Sequence, residues 1–235
     1  MKAAGAPMTC RLSIVMPVYN EGATLQPALQ ALAPLRARGV ELIVVDGQSR
    51  DDTLAVAQGG LADRVVNSLR GRARQMNAGA SKAGAEVLLF LHADTTLPPD
   101  AAALIDAGLA RRGAAWGRFD VRIDGRHPML RTVAALMNRR SRLTGIATGD
   151  QAIFVTREAF DAVRGFPDQP LMEDLELSRS LRRQFGRPVC LKDRVVTSGR
   201  RWERDGVWPT IFLMWRLRAL YWLGVSPKRL ARRYR

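Results

Sequence analysis

The sequence is poor in cysteine and histidine, with two of each among 235 residues. Cys10 and Cys190 lie far apart and have no metal-ligand spacing, which excludes a cysteine-based zinc site. The pattern indicates a reducing compartment with buried or idle thiols, and a single disulfide between the two stays open. Low-complexity segments and internal repeats are also missing, which excludes solenoid and disordered classes.

Long apolar runs are absent as well. No stretch reaches the roughly 18 apolar residues of a membrane-spanning helix, so none is expected. The first eight residues contain one lysine and lack the apolar run of a signal peptide. We therefore expect a cytoplasmic protein, with peripheral contact to the inner face of the cell membrane left open. The apolar fraction of 47% supplies a core for one α/β domain, with or without a C-terminal extension.

Charge is unevenly distributed along the chain. Residues 1–110 carry 10 Lys/Arg and 10 Asp/Glu, whereas residues 111–235 carry 27 and 12 and supply the whole net charge of +15. A basic second half indicates an anionic partner such as a diphosphate, lipid headgroups or nucleic acid. Because no helix-turn-helix, zinc or RNA-binding signature accompanies the charge, we expect no specific nucleic-acid partner.

Short apolar runs alternate with amphipathic stretches in the first half, which predicts a parallel sheet with helices on both faces. The predicted strands there are 12–18, 42–45, 64–66 and 87–91, and the predicted helices are 24–36, a short one from Asp51, 72–83 and 99–109. Pro34 is expected to end or kink the first helix. In the second half we predict strands over 116–123, 152–155, 189–191 and 194–197, and helices over 129–142, 157–163, 175–185 and 208–235.

Polar side chains follow three of these strands, in segments 19–21, 46–52 and 92–94. Ligands bind outside the carboxyl ends of strands in such sheets, so we expect the three segments to share one crevice. Taken singly, each segment has a plainer interpretation. Asn20 is a good helix cap, Asp46 can form a turn with Gly47, and His92 with Asp94 can be a loop hydrogen-bond pair. A carboxylate at Asp94 could also hold Mg²⁺ or Mn²⁺.

Together these segments resemble glycosyltransferase family 2, which has the GT-A nucleotide-sugar-binding fold. The resemblance rests on residues 14–21, 43–53 and 91–94, and it is supported by Gly149-Asp150-Gln151 and the run 173–177. It extends to about Thr197 and is strongest to small bacterial members without membrane spans. It implies an α/β GT-A domain with a mostly parallel central sheet over residues 1–200, with a donor half at about 10–110 and an acceptor half at about 111–200. A basic amphipathic helical extension would follow over 201–235.

The resemblance also implies a donor site for a nucleoside-diphosphate sugar, with a UDP-sugar favoured. Asp46 would read the base edge, and Asp94 would reach an Mn²⁺ or Mg²⁺ ion on the diphosphate. His92 stands where the family has an aspartate, so its own metal contact stays open. The implied nucleotide-binding residues are Pro17, Tyr19, Glu21, Asp46, Asp52, Arg72, Asn77 and Ala93.

For catalysis, the resemblance implies that Asp174, paired with Glu173, is the general base of an inverting transfer to a hydroxyl. Such a transfer needs a carboxylate to accept the acceptor's proton. Both residues begin a predicted helix, whose dipole favours ionised carboxylates, and complementing that dipole is the plainer interpretation. Asp150 and Gln151 would border the acceptor, with a simple Gly-Asp turn as the alternative.

The basic tail offers further candidates. Arg201 and Trp202, on a predicted loop, resemble the Arg-Trp element by which processive members of the family hold donor and acceptor. Arginine suits a diphosphate and tryptophan a sugar ring, and the alternative is a plain solvated arginine pair. The aromatic, basic stretch 208–224 suits an anionic membrane interface, and with it a lipid or lipid-linked acceptor; packing on the domain or on a second copy is the alternative.

Other classes of protein fit the sequence less well. The dinucleotide-binding pattern G-x-G-x-x-G and the phosphate-binding P-loop are both missing after the first strand. A nucleic-acid- or membrane-surface-binding protein on an inactive glycosyltransferase-like fold remains the competing hypothesis.

Overall fold

The computed structural model describes residues 12–234, so the predictions for Cys10 and for the start of the chain lie outside the described residues. Within this range eight strands form a single sheet, in the order β3-β2-β1-β4-β7-β6-β8-β5. The strands are β1 Leu12–Val18, β2 Glu41–Asp46, β3 Arg64–Asn67, β4 Val87–Phe90, β5 Thr95–Thr96, β6 Trp116–Asp124, β7 Ile153–Thr156 and β8 Val189–Ser198.

Helices flank this sheet, and in the described part of the chain all but one of them lie where the sequence predicts a helix, with ends shifted by a few residues. They are α1 Gly22–Arg36, α2 Thr53–Ala57, α3 Arg72–Lys82, α4 Ala101–Arg112, α5 Met129–Thr144, α6 Arg157–Ala162, α7 Glu173–Phe185, α8 Arg200–Asp205, α9 Val207–Trp222 and α10 Pro227–Tyr234. The helix α1 passes through Pro34 and ends two residues later, at Arg36. The tail is not one helix, because Gly206 and Gly224, both at φ +82°, break it.

The N-terminal half of the sheet is parallel, as predicted. β1 pairs in parallel with β2 and β4, and β2 pairs in parallel with β3. Both faces are covered, which is why these strands are near-continuous apolar runs. On one face α3 packs so closely that a Cβ atom at Gly79 would lie 2.4 Å from a methyl of Val15 and 2.8 Å from one of Val45. On the other face α1 buries Leu25 and Leu29 completely.

The C-terminal half of the sheet is mixed rather than parallel. β7 lies antiparallel between β4 and β6, β6 pairs in parallel with β8, and β5 pairs antiparallel with β8. The two strands predicted over 189–191 and 194–197 are one strand, β8. Leu191 lies opposite Phe119 and Arg194 opposite Asp120, so residues 192 and 193 form a bulge.

A buried ionic network joins β6 to α5. Arg118 is fully buried, contacts Asp120 directly, and donates to Ser141 Oγ at 3.1 Å and to the Asn138 carbonyl at 3.2 Å. Arg142 donates to both carboxylate oxygens of Asp120 at 2.8 Å. One carboxylate thus pairs with two guanidinium groups and fixes the helix on the strand.

The C-terminal helices pack on the rest of the molecule through one side of α9. Leu217 and Leu230 are buried in a small cluster with Ile146, Met172 and Leu175. The opposite side leaves large aromatic side chains in solvent: Trp208, Phe212, Trp215 and Trp222, each more than half exposed. Among the described residues, no helix is both long and apolar enough to cross a membrane.

Candidate active site

Two adjoining clefts open beyond the carboxyl ends of β1 and β4. The first cleft, of about 520 Å³, is lined by Pro17, Tyr19, Glu21, Ala93 and the start of α3. The second cleft, of about 190 Å³, is lined by Asp150, Asp174 and residues of α8 and α9. The two clefts share Arg72, His92, Asp94, Leu171 and Glu173, which we call the junction. Two of the three predicted strand-end segments therefore meet in one place.

Tyr19 and Arg70 form one wall of the first cleft. The Arg70 guanidinium lies 4.0 Å from the centre of the Tyr19 ring, and its Nη1 donates to Tyr19 Oη at 3.3 Å. Below them, the Glu21 carboxylate accepts from Thr24 Oγ1 at 2.7 Å. A flat aromatic side chain with a cation stacked on it gives a surface suited to a planar ring.

The segment after β2 lies behind this wall. Asp46 is buried, and its Oδ2 accepts from the Ser49 N–H at 3.0 Å, whereas the Gly47 N–H donates to the Val18 carbonyl at 3.0 Å. Asp46 Oδ1 is also buried, yet it has no partner within residues 12–234. A buried acceptor normally has a donor, so Oδ1 keeps an unused acceptor position.

One neighbouring prediction is corrected. Asn20 does not cap α1, because its Oδ1 accepts from the Arg50 N–H at 2.9 Å and so ties the segment after β1 to the segment after β2. Asp52 is exposed at the start of α2 and lines neither cleft.

Gln75 is a positioning residue that the sequence analysis did not identify. Its Nε2 donates to the carbonyls of Val18 and Val45, both at 2.8 Å, and its Oε1 accepts from the Gly71 N–H at 3.4 Å. It therefore ties the ends of β1 and β2 to the start of α3. The only signal in the sequence is a glutamine on the apolar side of a short helix, between Ala73 and Met76.

Two further predicted site residues lie away from the cleft surfaces. The Asn77 amide is engaged by the backbone of Phe166, donating to its carbonyl at 2.8 Å and accepting from its N–H at 2.9 Å. Gln151 is fully buried in the 3-10 turn Gly149–Gln151, where it bonds to Asn138 Oδ1 at 3.3 Å. The Asn77 amide thus holds the Phe166 backbone, and the Gln151 amide donates to the Asn138 side chain.

Asp174 is held at the edge of the second cleft by two backbone N–H groups. Its Oδ2 accepts from Gly149 and its Oδ1 from Leu175, both at 2.8 Å. His92 lies against Gly149, where a Cβ atom would come within 2.6 Å of the imidazole ring, and its Nδ1 is 3.4 Å from Asp150 Oδ1. Only glycine allows this approach, which brings the end of β4 next to the start of α7.

Glu173 of the junction and Asp150 of the second cleft have opposite electrostatic environments. Burial, followed by the charge of Asp174, raises the pKa of Glu173, so at this residue the surroundings act against the helix dipole. At Asp150 burial alone would raise the pKa. The hydrogen bond from His92 and the nearby positive charges outweigh it, and the pKa of Asp150 is lowered.

Asp94 is the best-placed residue for a divalent cation. It is exposed and lines both clefts. Within the described residues, no group of three or more His, Cys, Asp or Glu side chains could hold a metal by itself. Mg²⁺ commonly binds through one or two carboxylates together with substrate phosphates and water, and Asp94 fits that arrangement. His92 fits it less well, since its Nε2 packs against Gly149 while its Nδ1 faces Asp150.

Arg201 and Trp202 line the second cleft from helix α8. The prediction of a loop at this position is wrong: both belong to the first turn of the helix. Their side chains remain half-buried at the cleft, beside Thr210 and Met214 of α9.

The fold is the GT-A fold of nucleotide-diphospho-sugar transferases. Staphylococcus aureus TarS 1-349, solved in complex with UDP, matches with a TM-score of 0.65 and 17% identity, over 80% of this chain and 60% of that one. Glucosyl-3-phosphoglycerate synthase from Mycobacterium tuberculosis, in complex with Mn²⁺, UDP and glucosyl-3-phosphoglycerate, matches with a TM-score of 0.56 and 19% identity, over 80% and 70%. Residues 13–164 match Glycosyl transferase family 2, and the chain belongs to that family.

Curated relatives match over a shorter stretch. A PGL/p-HBAD biosynthesis glycosyltransferase of Mycobacterium bovis is 36% identical over 98 residues, which is 39% of this chain and 37% of the relative. The chain thus spans little more than a third of the length of the curated relatives it matches.

Proposed function

We propose that this protein moves a sugar from a nucleoside-diphosphate sugar, with a UDP-sugar favoured, to a hydroxyl acceptor with inversion at the anomeric carbon. The observation that carries the proposal is the junction, where the two clefts meet between Asp94 and Asp174. The choice of UDP is supported by the TarS and glucosyl-3-phosphoglycerate synthase structures, which contain UDP or UDP-sugars.

The first cleft would hold the nucleotide. The base would lie against Tyr19 and Arg70, and Asp46 Oδ1 would accept a hydrogen bond from the base edge. Arg72, at the start of α3, would place its charge at the diphosphate. A divalent cation on Asp94 would neutralise charge on the leaving diphosphate.

The second cleft would hold the acceptor. Its hydroxyl oxygen bonds to the anomeric carbon as the bond from that carbon to the diphosphate breaks, and Asp174 receives the hydroxyl proton. The two N–H groups on Asp174 fix the direction of its carboxylate, which a general base requires. Glu173, buried and with a raised pKa, is suited to positioning rather than to accepting the proton.

Donor binding is the first expected result. UDP with Mn²⁺ should raise the melting temperature of the chain, and Asp94→Asn should weaken the metal-dependent part of UDP binding at least about tenfold. Isothermal titration with and without Mn²⁺ measures this effect. Asp106→Asn, an exposed change on α4, is the matched control and should bind as the wild type does. No response to any UDP-, GDP- or dTDP-sugar would contradict the donor assignment.

A peripheral contact with anionic lipid is the second part of the proposal. Trp208, Phe212, Trp215 and Trp222 recur every three, four or seven residues and so form one exposed stripe on α9. The following helix α10 presents the exposed cations Lys228, Arg229 and Arg232. Amphipathic rings beside lysine and arginine suit the headgroup layer of a bilayer. The alternative that the sequence left open, packing of the helix on the domain, also applies, since the Leu217 side of α9 packs there. Such a contact would give access to a lipid or lipid-linked acceptor.

Vesicle flotation tests this contact. Trp215→Ser combined with Trp222→Ser should greatly reduce binding to vesicles rich in phosphatidylglycerol, because it removes the inserted rings but leaves the attraction of about 1 kcal/mol per Lys/Arg. Leu69→Ser, which removes a similarly exposed leucine far along the chain, is the control. Equal flotation of both variants, or no flotation of the wild type, would count against the contact. A concentration-dependent dimer abolished by the double change would assign the stripe to a second copy instead.

A further inference from the structure

Two arginines beside the second cleft have no assigned role. Arg218 of α9 lines this cleft, and Arg140 of α5 is close enough to interact electrostatically with Arg218, Asp174 and Asp150. Both side chains are half-buried. Within the described residues neither guanidinium forms an ion pair, and Arg140 Nε and Nη2 are shielded from solvent without a hydrogen-bond acceptor.

The neighbouring carboxylates do not take up these donors. Asp174 uses its two oxygens for backbone N–H groups, and Asp150 faces His92. Burial and the positive charge of Arg218 lower the pKa of Arg140 to about 10, and burial lowers the pKa of Arg218. Both groups are nevertheless charged at neutral pH. Two like charges with unused donors at one site match an anionic oxo group, because arginine binds phosphate and carboxylate through paired N–H groups.

The position of Arg218 indicates which substrate brings the anion. Arg218 lines the second cleft but is not among the residues of the first, where Tyr19 and Glu21 lie. The proposed place of the donor diphosphate is the junction, at Arg72 and Asp94. We infer that Arg140 and Arg218 bind a phosphate or carboxylate group on the acceptor, so that the acceptor is itself an anion. This inference rests on the proposed function, because only a transferase has an acceptor. Binding of an anion by the two arginines can nevertheless be tested without any sugar transfer.

The test is a phosphate titration of the full chain, followed by ³¹P NMR or calorimetry, with the first cleft saturated by UDP and Mg²⁺. We expect phosphate to bind and not to be displaced by UDP. Arg140→Met and Arg218→Met, which keep most of the apolar stem, should each weaken phosphate binding at least tenfold. Arg139→Met and Arg216→Met remove exposed charges one and two residues away, and should leave it within a factor of two. Unchanged binding in both test variants, or complete displacement by UDP, would overturn the inference.

A purely structural role is distinguished by the stability of the ligand-free protein. If the arginines only offset Asp174 and Asp150, Arg140→Met and Arg218→Met should lower its melting temperature. We expect the temperature to stay the same or rise, since each variant removes a half-buried charge that lacks an ion pair. If UDP does not bind, the proposed function fails, and the same titration without UDP still reports on the anion site.

The source of the anion is decided by two arms. In one, a soluble phosphomonoester is titrated into the wild type and Arg218→Met. In the other, both proteins are floated with vesicles containing phosphatidic acid, and neutral vesicles serve as the blank. If the two proteins differ with the soluble phosphomonoester but not with the vesicles, the acceptor is a soluble anion. If they differ with the vesicles, the acceptor is an anionic lipid. No difference in either arm would reject the inference.

Discussion

Replacing Asp174 with asparagine is expected to lower the rate of sugar transfer by about a thousandfold and to leave UDP binding nearly unchanged. Proton acceptance by a positioned side chain contributes roughly 10²–10⁴ to a rate. The introduced amide would keep one oxygen for a backbone N–H but could not accept the hydroxyl proton. The rate is measured as UDP release at saturating donor and acceptor, and UDP affinity by isothermal titration.

The control lies on the same helix. Glu176 accepts hydrogen bonds from Arg179 and from Tyr221, and it lines neither cleft. Glu176→Gln should therefore transfer at the wild-type rate. Full turnover by the Asp174→Asn variant would show that Asp174 is not the general base, and Glu173 would then be the remaining candidate. In that case Glu173→Gln would abolish transfer, and activity would fall as the pH drops through the raised pKa of Glu173, because a base must be deprotonated.

Replacing Asp120 with alanine is expected to lower the free energy of unfolding by about 3–5 kcal/mol, the usual cost of breaking a buried ion pair from one side. Arg118, fully buried on β6, would keep its charge and lose its carboxylate. Urea denaturation measures the effect. Since small domains unfold with only about 5–15 kcal/mol, much of the chain could be unfolded at 37 °C.

Asp124→Ala is the matched control for this change. Asp124 is exposed at the end of the same strand, so its loss should change stability by no more than about 0.5 kcal/mol. The double change Arg118→Met with Asp120→Leu should cost less than Asp120→Ala alone, because it removes both charges together. Similar stabilities for the Asp120 and Asp124 variants would show that the network contributes little.

The donor half of the fold can be predicted from the sequence because each of its strands and strand ends is marked by residues that are adjacent in the chain. Buried parallel strands are continuous apolar runs, and each is followed by the polar residues that the strand end positions. The sequence alone therefore places Tyr19, Glu21 and Asp94 at one crevice, and all three line the first cleft.

The remaining features depend on contacts between distant segments. Strand β7 enters between β4 and β6, and β8 carries a bulge, neither of which has a local signature. Arg118 looks like any strand arginine until Asp120 and α5 enclose it. Motif position predicts a ligand contact for Asn77 and Gln151, whereas the direction of each side chain is set by a distant partner, the Phe166 backbone for Asn77 and the Asn138 side chain for Gln151.

Helix α9 joins its aromatic stripe to the second cleft, because Arg218, which lines that cleft, stands three residues after Trp215 and four before Trp222. Residues at these spacings are neighbours on the surface of a helix. With the stripe in the headgroup layer, the Arg218 side of the cleft would face the lipid headgroups. An acceptor held by an acyl chain would then meet the cleft at the level of its own polar head, without leaving the bilayer.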